Sequence, residues 1–147
     1  MSEPRPTYDW DHARVGDVAE PVSVVLTAEL FERYWKAIGK TAASQPAGIP
    51  IVMIRAYAPL RRRELVAHNG ADYPKHPTPA VKWHARVFRD LQVGDALTSV
   101  TKVADKYEKN GRRYLQWEVE ARRGDEIVAR FGYVNLWEAT RPEDRQR

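Results

Sequence analysis

The sequence predicts an α+β domain in which helices near the start of the chain pack against a sheet formed by its second half. The first observation is helical periodicity, which runs from Thr27 to Gly39 and resumes after Pro50. The second is a change of period, because apolar and polar residues alternate over residues 81–87 and 115–121, as in half-buried strands. Such a sheet has one apolar face, which must be buried against the helices.

The length and composition of the chain favour one domain without covalent or metal cross-links. Its 147 residues, 43% of them hydrophobic, suffice for a single core. Because cysteine is absent, a disulfide framework and a thiolate metal site are both excluded. We place the domain at residues 11–139, between a loose, polar start (1–10) and a loose, charged end (140–147). No cofactor and no metal are expected.

The charge pattern is only mildly suggestive of an anionic ligand. The formal net charge of +4 comes from 24 basic and 20 acidic residues mixed along the chain. Zinc-finger spacing, RNA-recognition strands and paired helices of the helix-turn-helix type are absent, so nucleic acid is not expected. The longest mostly apolar stretch, residues 48–60, is too short to span a bilayer, and residues 1–10 lack the apolar core of a secretory signal. We therefore expect a cytoplasmic protein.

The helical half has recognisable start and stop signals. The first helix is predicted to begin at Thr27, whose hydroxyl can cap it, and to end at Gly39. Pro50 is well placed as the first residue of a second helix. Pro59 removes a helical hydrogen bond and clashes with the preceding turn, so residues 50–68 should form a kinked helix or two helices. An irregular loop over residues 68–79 follows.

The second half contains four predicted strands joined by short polar turns. Such an arrangement predicts an antiparallel meander over residues 81–87, 97–107, 115–121 and 127–137. Trp83 and Trp117 fall on the predicted apolar face, and we expect both indoles to be buried.

One stretch of this half resembles a known family. From His84 to Thr98 an aromatic residue, Phe88, is followed by a short basic step, then Val-Gly-Asp and Leu-Thr. This stretch resembles the strand, turn and strand of MaoC-like hot-dog proteins, and Arg14 to Asp17 resembles the opening of the same family. The resemblance implies a hot-dog fold, in which one curved antiparallel sheet wraps around a central helix. It also implies a hydratase or dehydratase type of protein for acyl thioesters of coenzyme A or an acyl-carrier protein.

The catalytic dyad of that family is not found at the matching positions. In catalytic members the helix matching residues 27–40 is followed by Gly-Asp, then Asn-Pro and a histidine, and the aspartate and histidine act at the unsaturated thioester. Here Lys40 stands at the aspartate position and no histidine follows. The resemblance therefore implies a dyad-lacking subunit that binds the acyl group and pairs with a catalytic hot-dog. Pairing through sheet edges, as a homodimer or as a heterodimer with a second hot-dog subunit, is expected.

Two further groups of residues are candidates for substrate binding. Family members hold the thioester oxygen with backbone amides at the start of the central helix, and the resemblance places Gly48 and Ile49 at that start. The compact basic run Arg61, Arg62 and Arg63 could contact the phosphate groups of a carrier. A solvated helix face is the alternative interpretation of this run.

The remaining acid-base candidates are Asp72, His76 and His84. A histidine and a carboxylate together could replace the missing dyad. A spacing of four aligns side chains only on a helix, however, and Pro74 and Pro77 oppose a helix here, so ordinary surface histidines are the alternative. Two other functions stay open, namely a self-sufficient hot-dog enzyme with a relocated acid-base site and a non-catalytic scaffold for a small ligand.

Overall fold

The computed structural model describes residues 3–37 and 53–139. Along the chain the elements are β1 (Val22–Val25), α1 (Ala28–Ala37), α2 (Ile54–Tyr57), α3 (Arg62–His68), β2 (Ala80–Val87), β3 (Ala96–Lys109), β4 (Arg112–Arg123) and β5 (Glu126–Leu136). The strands form one antiparallel sheet in the order β1-β3-β4-β5-β2. The predicted α+β class is thus confirmed. The predicted helix stop at Gly39, the helix start at Pro50 and the end segment 140–147 lie outside the described residues.

The four predicted strands do not form one meander. Strands β3, β4 and β5 follow one another through hairpins, but β2 lies at the edge beside β5, where Trp83 is opposite Tyr133. The backbone amide of Gly94 donates to Leu26 at 2.6 Å, and that of Leu26 donates to Asp95 at 2.9 Å. These bonds fix the start of β3 beside β1. Because β1 occupies that side of β3, β2 pairs with the free side of β5, and the prediction of a four-stranded meander is wrong.

The first helix begins, and the second helical segment breaks, where the sequence predicts. The hydroxyl oxygen of Thr27 accepts a hydrogen bond from the backbone amide of Leu30 at 3.0 Å, which confirms the predicted cap of α1. Helix α2 ends at Tyr57 and α3 begins at Arg62, so Pro59 separates two short helices. A long membrane-spanning helix does not occur within the described residues.

The helices cover the inner face of the sheet, which we define as the face that carries Trp117 and Phe131. Helix α2 contacts β5, and α3 contacts β3. Trp117 is 0% exposed, which confirms its predicted burial, whereas Trp83 is 65% exposed and the prediction for it is wrong. Both tryptophans follow the same alternation, but Trp117 lies on a central strand and Trp83 on the edge strand β2. Among the described residues the inner face is therefore closed over the centre of the sheet and open at Trp83.

The start of the chain is docked, contrary to the predicted loose segment 1–10. Tyr8 is 0% exposed, and its carbonyl accepts a hydrogen bond from the indole of Trp137 at 2.9 Å. The amide of Tyr8 donates to Asp72 at 2.8 Å, and the amide of Asp72 donates to Pro6 at 2.8 Å. The phenol of Tyr8 donates a hydrogen bond to the carboxylate of Asp17. Burial together with this hydrogen bond raises the pKa of Tyr8 above its usual value. Residues 6–8 are therefore part of the domain.

Two turns with the sequence Val-Gly-Asp have the same geometry. Gly16 and Gly94 have φ values of 99° and 102°, which favour glycine in both turns. In each turn the aspartate carboxylate accepts a hydrogen bond from the backbone amide three residues earlier. The distance is 3.0 Å from Arg14 to Asp17 and 2.9 Å from Gln92 to Asp95. Asp95 therefore accepts a turn amide, as short acidic side chains commonly do in turns. Arg123 also donates to Asp95, at 2.9 Å.

The contrast between the two tryptophans gives a direct test of the fold. Replacement of Trp117 by alanine should lower the free energy of unfolding by about 3–5 kcal/mol, because it leaves a large cavity in the core. The Trp83→Ala variant is the matched control and should change it by about 0.5 kcal/mol or less, because the indole is mostly in solvent. Urea unfolding followed by circular dichroism measures both. Equal losses in the two variants would contradict the described sheet.

Asp95 should make stability depend on pH. Hydrogen bonds from the Gln92 amide and from Arg123, with the positive charge of that guanidinium, lower the pKa of Asp95 in the folded chain. Its stabilising contribution is therefore present above the unfolded pKa of about 3.9 and is lost as the pH falls through the lower folded value. We expect Asp95→Asn to be less stable than the wild type at pH 6, with a difference that shrinks below about pH 4. Urea unfolding at both pH values tests this, and a pH-independent difference would contradict it.

Candidate functional site

An aromatic row lies on the inner face next to the β2 edge. The ring of Trp83 stacks on that of Phe131 with centroids 6.0 Å apart, and Phe131 stacks on Tyr133 at 6.1 Å. Phe131 is 2% exposed, but Trp83 is 65% exposed. The row therefore begins in the core and ends at an uncovered indole. We call Trp83, Phe131 and Tyr133 the aromatic row.

Two arginines lie over this row. The guanidinium carbon of Arg55, which follows the first residue of α2, is 5.9 Å from the ring centroid of Phe131, and that of Arg62 is 5.1 Å from Tyr133. Both positions suit a cation–π contact. Arg62 also donates to the side chain of Asn135 at 3.0 Å, which ties it to β5. Arg55 is exposed and forms no ion pair among the described residues.

This combination suits an amphipathic anion. Aromatic rings offer apolar area to an alkyl chain, while a guanidinium can donate two hydrogen bonds to a phosphate or carboxylate. Ligand sites commonly have this composition, a mainly apolar lining with a few polar groups that fix orientation. The surface formed by the aromatic row, Arg55 and Arg62 is therefore the candidate functional site, which we call the edge site.

The predicted basic run does not act as one patch. Arg61 lies 3.7 Å from the carboxylate of Glu64, and Arg63 lies over the ring of Tyr73 at 4.3 Å. Of these three arginines, only Arg62 belongs to the edge site. The short helix α3 directs the three side chains to different neighbours, so the run supplies a single arginine to this surface.

The predicted acid-base residues lie in three different settings. Asp72 forms a backbone bridge with Thr7, and its side chain is exposed. The imidazole of His76 is 3.1 Å from the carbonyl of Pro77 and lines an open cleft of about 1050 Å³ beside Trp137. His84 lies on the outer face of the sheet, the face opposite the aromatic row.

His84 packs against the backbone of β5. A Cβ added at Gly132 would lie 2.0 Å from the Cε1 atom of His84, so the imidazole occupies the space that the glycine leaves. Within the described ranges no hydrogen bond or ion pair joins any two of Asp72, His76 and His84. In the same ranges no group of three metal-ligating side chains is found. Gly48 and Ile49 lie outside the described residues.

A buried tyrosine lies close to the edge site but does not open to it. Tyr57 belongs to the same core cluster as Phe131 and is 1% exposed. Burial raises the pKa of Tyr57 to about 12, because the charged phenolate would be desolvated. Its hydroxyl stays protonated at neutral pH, and its contribution is to packing.

Sequence reasoning did not single out Arg55 or the aromatic row as parts of a candidate site. A signal for each was present, since Arg55 interrupts an otherwise apolar stretch, and Phe131 and Tyr133 are two apart on one strand. What joins them is the pairing of β2 with β5, which places Trp83 beside Phe131.

Comparison with known proteins identifies the fold. No protein-family model matches the chain, and no curated protein matches it. Solved structures do match, at low identity. The HadBC complex of Mycobacterium tuberculosis, a 3R-hydroxyacyl-ACP dehydratase, matches with a TM-score of 0.63, 12% identity and coverage of 83% of this chain and 96% of that one. A MaoC-like dehydratase from Rhodospirillum rubrum matches with a TM-score of 0.59, 13% identity and coverage of 90% of this chain and 99% of that one.

A further structure, the ChsH1-ChsH2 complex from Mycobacterium tuberculosis, matches with a TM-score of 0.59, 15% identity and coverage of 85% of this chain and 87% of that one. At such identities the likeness establishes the fold. The chain has the hot-dog fold, of the kind found in MaoC-like dehydratases. The fold that the motif at residues 84–98 implied is thus confirmed.

Proposed function

We propose that this chain is a hot-dog subunit that binds an acyl thioester at the edge site and pairs through β2 with a second hot-dog, which supplies the acid-base chemistry. The observation that carries the proposal is the exposed indole of Trp83, which continues a buried aromatic row onto β2, the edge strand of the sheet among the described residues. An indole 65% exposed on an apolar face is suited to contact with a ligand or partner.

The thioester part of the proposal is supported by the chemistry of the edge site. Acyl carriers combine an apolar acyl chain with anionic phosphates, and the aromatic row and Arg55 offer one surface for each. The matching HadBC structure is a 3R-hydroxyacyl-ACP dehydratase, whose substrate is a thioester of this kind. Backbone amides of Gly48 and Ile49, at the helix start implied by the resemblance, would contact the thioester oxygen.

The subunit part is supported by the missing dyad. Lys40 occupies the position of the family's aspartate and no histidine follows it, so the chain lacks the usual general base. The substitutes Asp72, His76 and His84 belong to different settings and are not joined to one another. Two of the matching structures, HadBC and ChsH1-ChsH2, are complexes of two subunits. A partner that brings the acid-base residues is consistent with all three observations.

Binding to the edge site should be measurable on the pure chain. We expect a long-chain 2-enoyl coenzyme A to quench tryptophan fluorescence and to bind in calorimetry. Trp83→Ala should raise Kd about tenfold, or about 1.4 kcal/mol, because it removes the exposed end of the aromatic row. Arg55→Ala should raise Kd for the thioester of coenzyme A by a similar factor but have less effect on the methyl ester of the same fatty acid, which carries neither phosphate nor carboxylate.

Matched controls separate the edge site from general surface effects. Val93→Ala removes another exposed apolar side chain, 52% exposed, and Arg33→Ala removes another exposed arginine, on α1. Neither should change Kd by more than about twofold. Unchanged binding in Trp83→Ala and Arg55→Ala would contradict the proposed location of the site, and no binding by the wild type would contradict the proposed ligand.

Turnover by the chain alone should be very low. General acid-base groups contribute about 10²–10⁴-fold each, and Lys40 stands where the family has its aspartate. Crotonyl and longer enoyl thioesters are incubated with the pure chain and with Asp72→Ala, His76→Ala and His84→Ala, and hydration is followed by the loss of enoyl absorbance. Robust turnover that one of these substitutions abolishes would establish a relocated active site. If the thioester binds but is not turned over, either by the pure chain or by its mixtures with candidate partners, the result would instead favour a non-catalytic scaffold for a small ligand.

A further inference from the structure

The outer face of β2 carries a row of basic side chains. Lys82, His84 and Arg86 alternate with Trp83 and Ala85, which point to the inner face. All three basic residues are exposed. We call Lys82, His84 and Arg86 the basic row of β2.

The carboxylates on the same face are already engaged elsewhere. Glu118 lies 3.5 Å from Lys102 and 3.8 Å from Arg130. Glu120 lies 2.6 Å from Arg122 and 3.6 Å from Arg130. These two acids are on β4, with β5 between them and β2. Across residues 3–37 and 53–139, no ion pair involves the basic row.

The basic row decides which strand can pair with the free edge of β2. In an antiparallel pair, residues directly opposite each other lie on the same face, and like charges there are destabilising. If two copies of β2 paired about a two-fold axis centred on His84, Lys82 of each copy would be opposite Arg86 of the other. Self-pairing in this register therefore sets like charges directly opposite each other.

We propose that β2 pairs with a different hot-dog subunit, whose edge strand presents carboxylates on its outer face, and that it disfavours pairing with a second copy of this chain. The inference rests on the proposed pairing through β2 and names the partner by its charge. The inner face contributes apolar contact through Trp83 to any partner, and the basic row selects the acidic one.

A charge-reversal mixture tests this without knowledge of the natural partner. The variant with Lys82→Glu and Arg86→Glu carries an acidic row that complements the wild type. At micromolar concentration we expect monomers for the wild type alone and for the variant alone, and a 1:1 dimer in the mixture, by light scattering. The Kd of the mixed dimer should be at least about tenfold lower than that of either self-pair, and it should rise in 1 M salt.

The control carries the same change of charge at another surface. Arg33→Glu with Lys36→Glu reverses two exposed charges on α1, and its mixture with the wild type should stay monomeric. Hydrogen exchange should protect the amides of residues 80–87 in the mixed dimer alone. A wild-type dimer protected at these residues, a charge-reversal mixture that stays monomeric, or a control mixture that dimerises equally would each overturn the inference.

The result is separable from the proposed ligand binding. Fluorescence titration of the wild type with the long-chain enoyl coenzyme A is performed on the same samples. Thioester binding by a wild-type homodimer would overturn only the choice of partner. A mixed dimer that binds no thioester would support that choice and contradict the proposed ligand.

Discussion

An antiparallel sheet with one apolar face is stable only where that face is covered, and among the described residues the helical cover stops short of Trp83. Pro59 divides the helical segment into α2, of four residues, and α3, of seven. These helices lie against β5 and β3 and close the core over Trp117 and Phe131. Ala85 of β2 packs against this core, whereas Trp83 on the same strand stays exposed. Among the described residues the cover therefore ends between Ala85 and Trp83.

Local signals in the sequence were sufficient for the features that depend on local backbone chemistry. The break at Pro59 follows from a missing amide and a steric clash, and the cap at Thr27 follows from a hydroxyl beside free helical amides. The burial of Trp117 followed from alternation along its strand. Trp83 shows the limit of that reasoning, because alternation assigns a residue to a face but does not say whether anything covers that face at that position.

The features that were not predicted depend on contacts between distant segments. Strand β2 pairs with β5 because β1 takes the side of β3 that a meander would use. The start of the chain is docked because Tyr8 contacts both Asp72 and Trp137. Likewise, Arg61 to Arg63 are adjacent in sequence but contact different neighbours, whereas Arg55 and Arg62 meet at the aromatic row. A candidate site assembled from pairings of this kind becomes visible only with the strand order.

The two faces of β2 place different requirements on whatever pairs with it. On the inner face Trp83 loses water when any apolar surface covers it, so this contact contributes affinity and little selectivity. On the outer face the basic row is favourable beside carboxylates and unfavourable beside itself, so this contact contributes selectivity. A second copy of the chain could satisfy the first requirement but not the second. A strand that alternates apolar residues inward with acidic residues outward satisfies both, and under the proposed function it would belong to the subunit that supplies the acid-base groups.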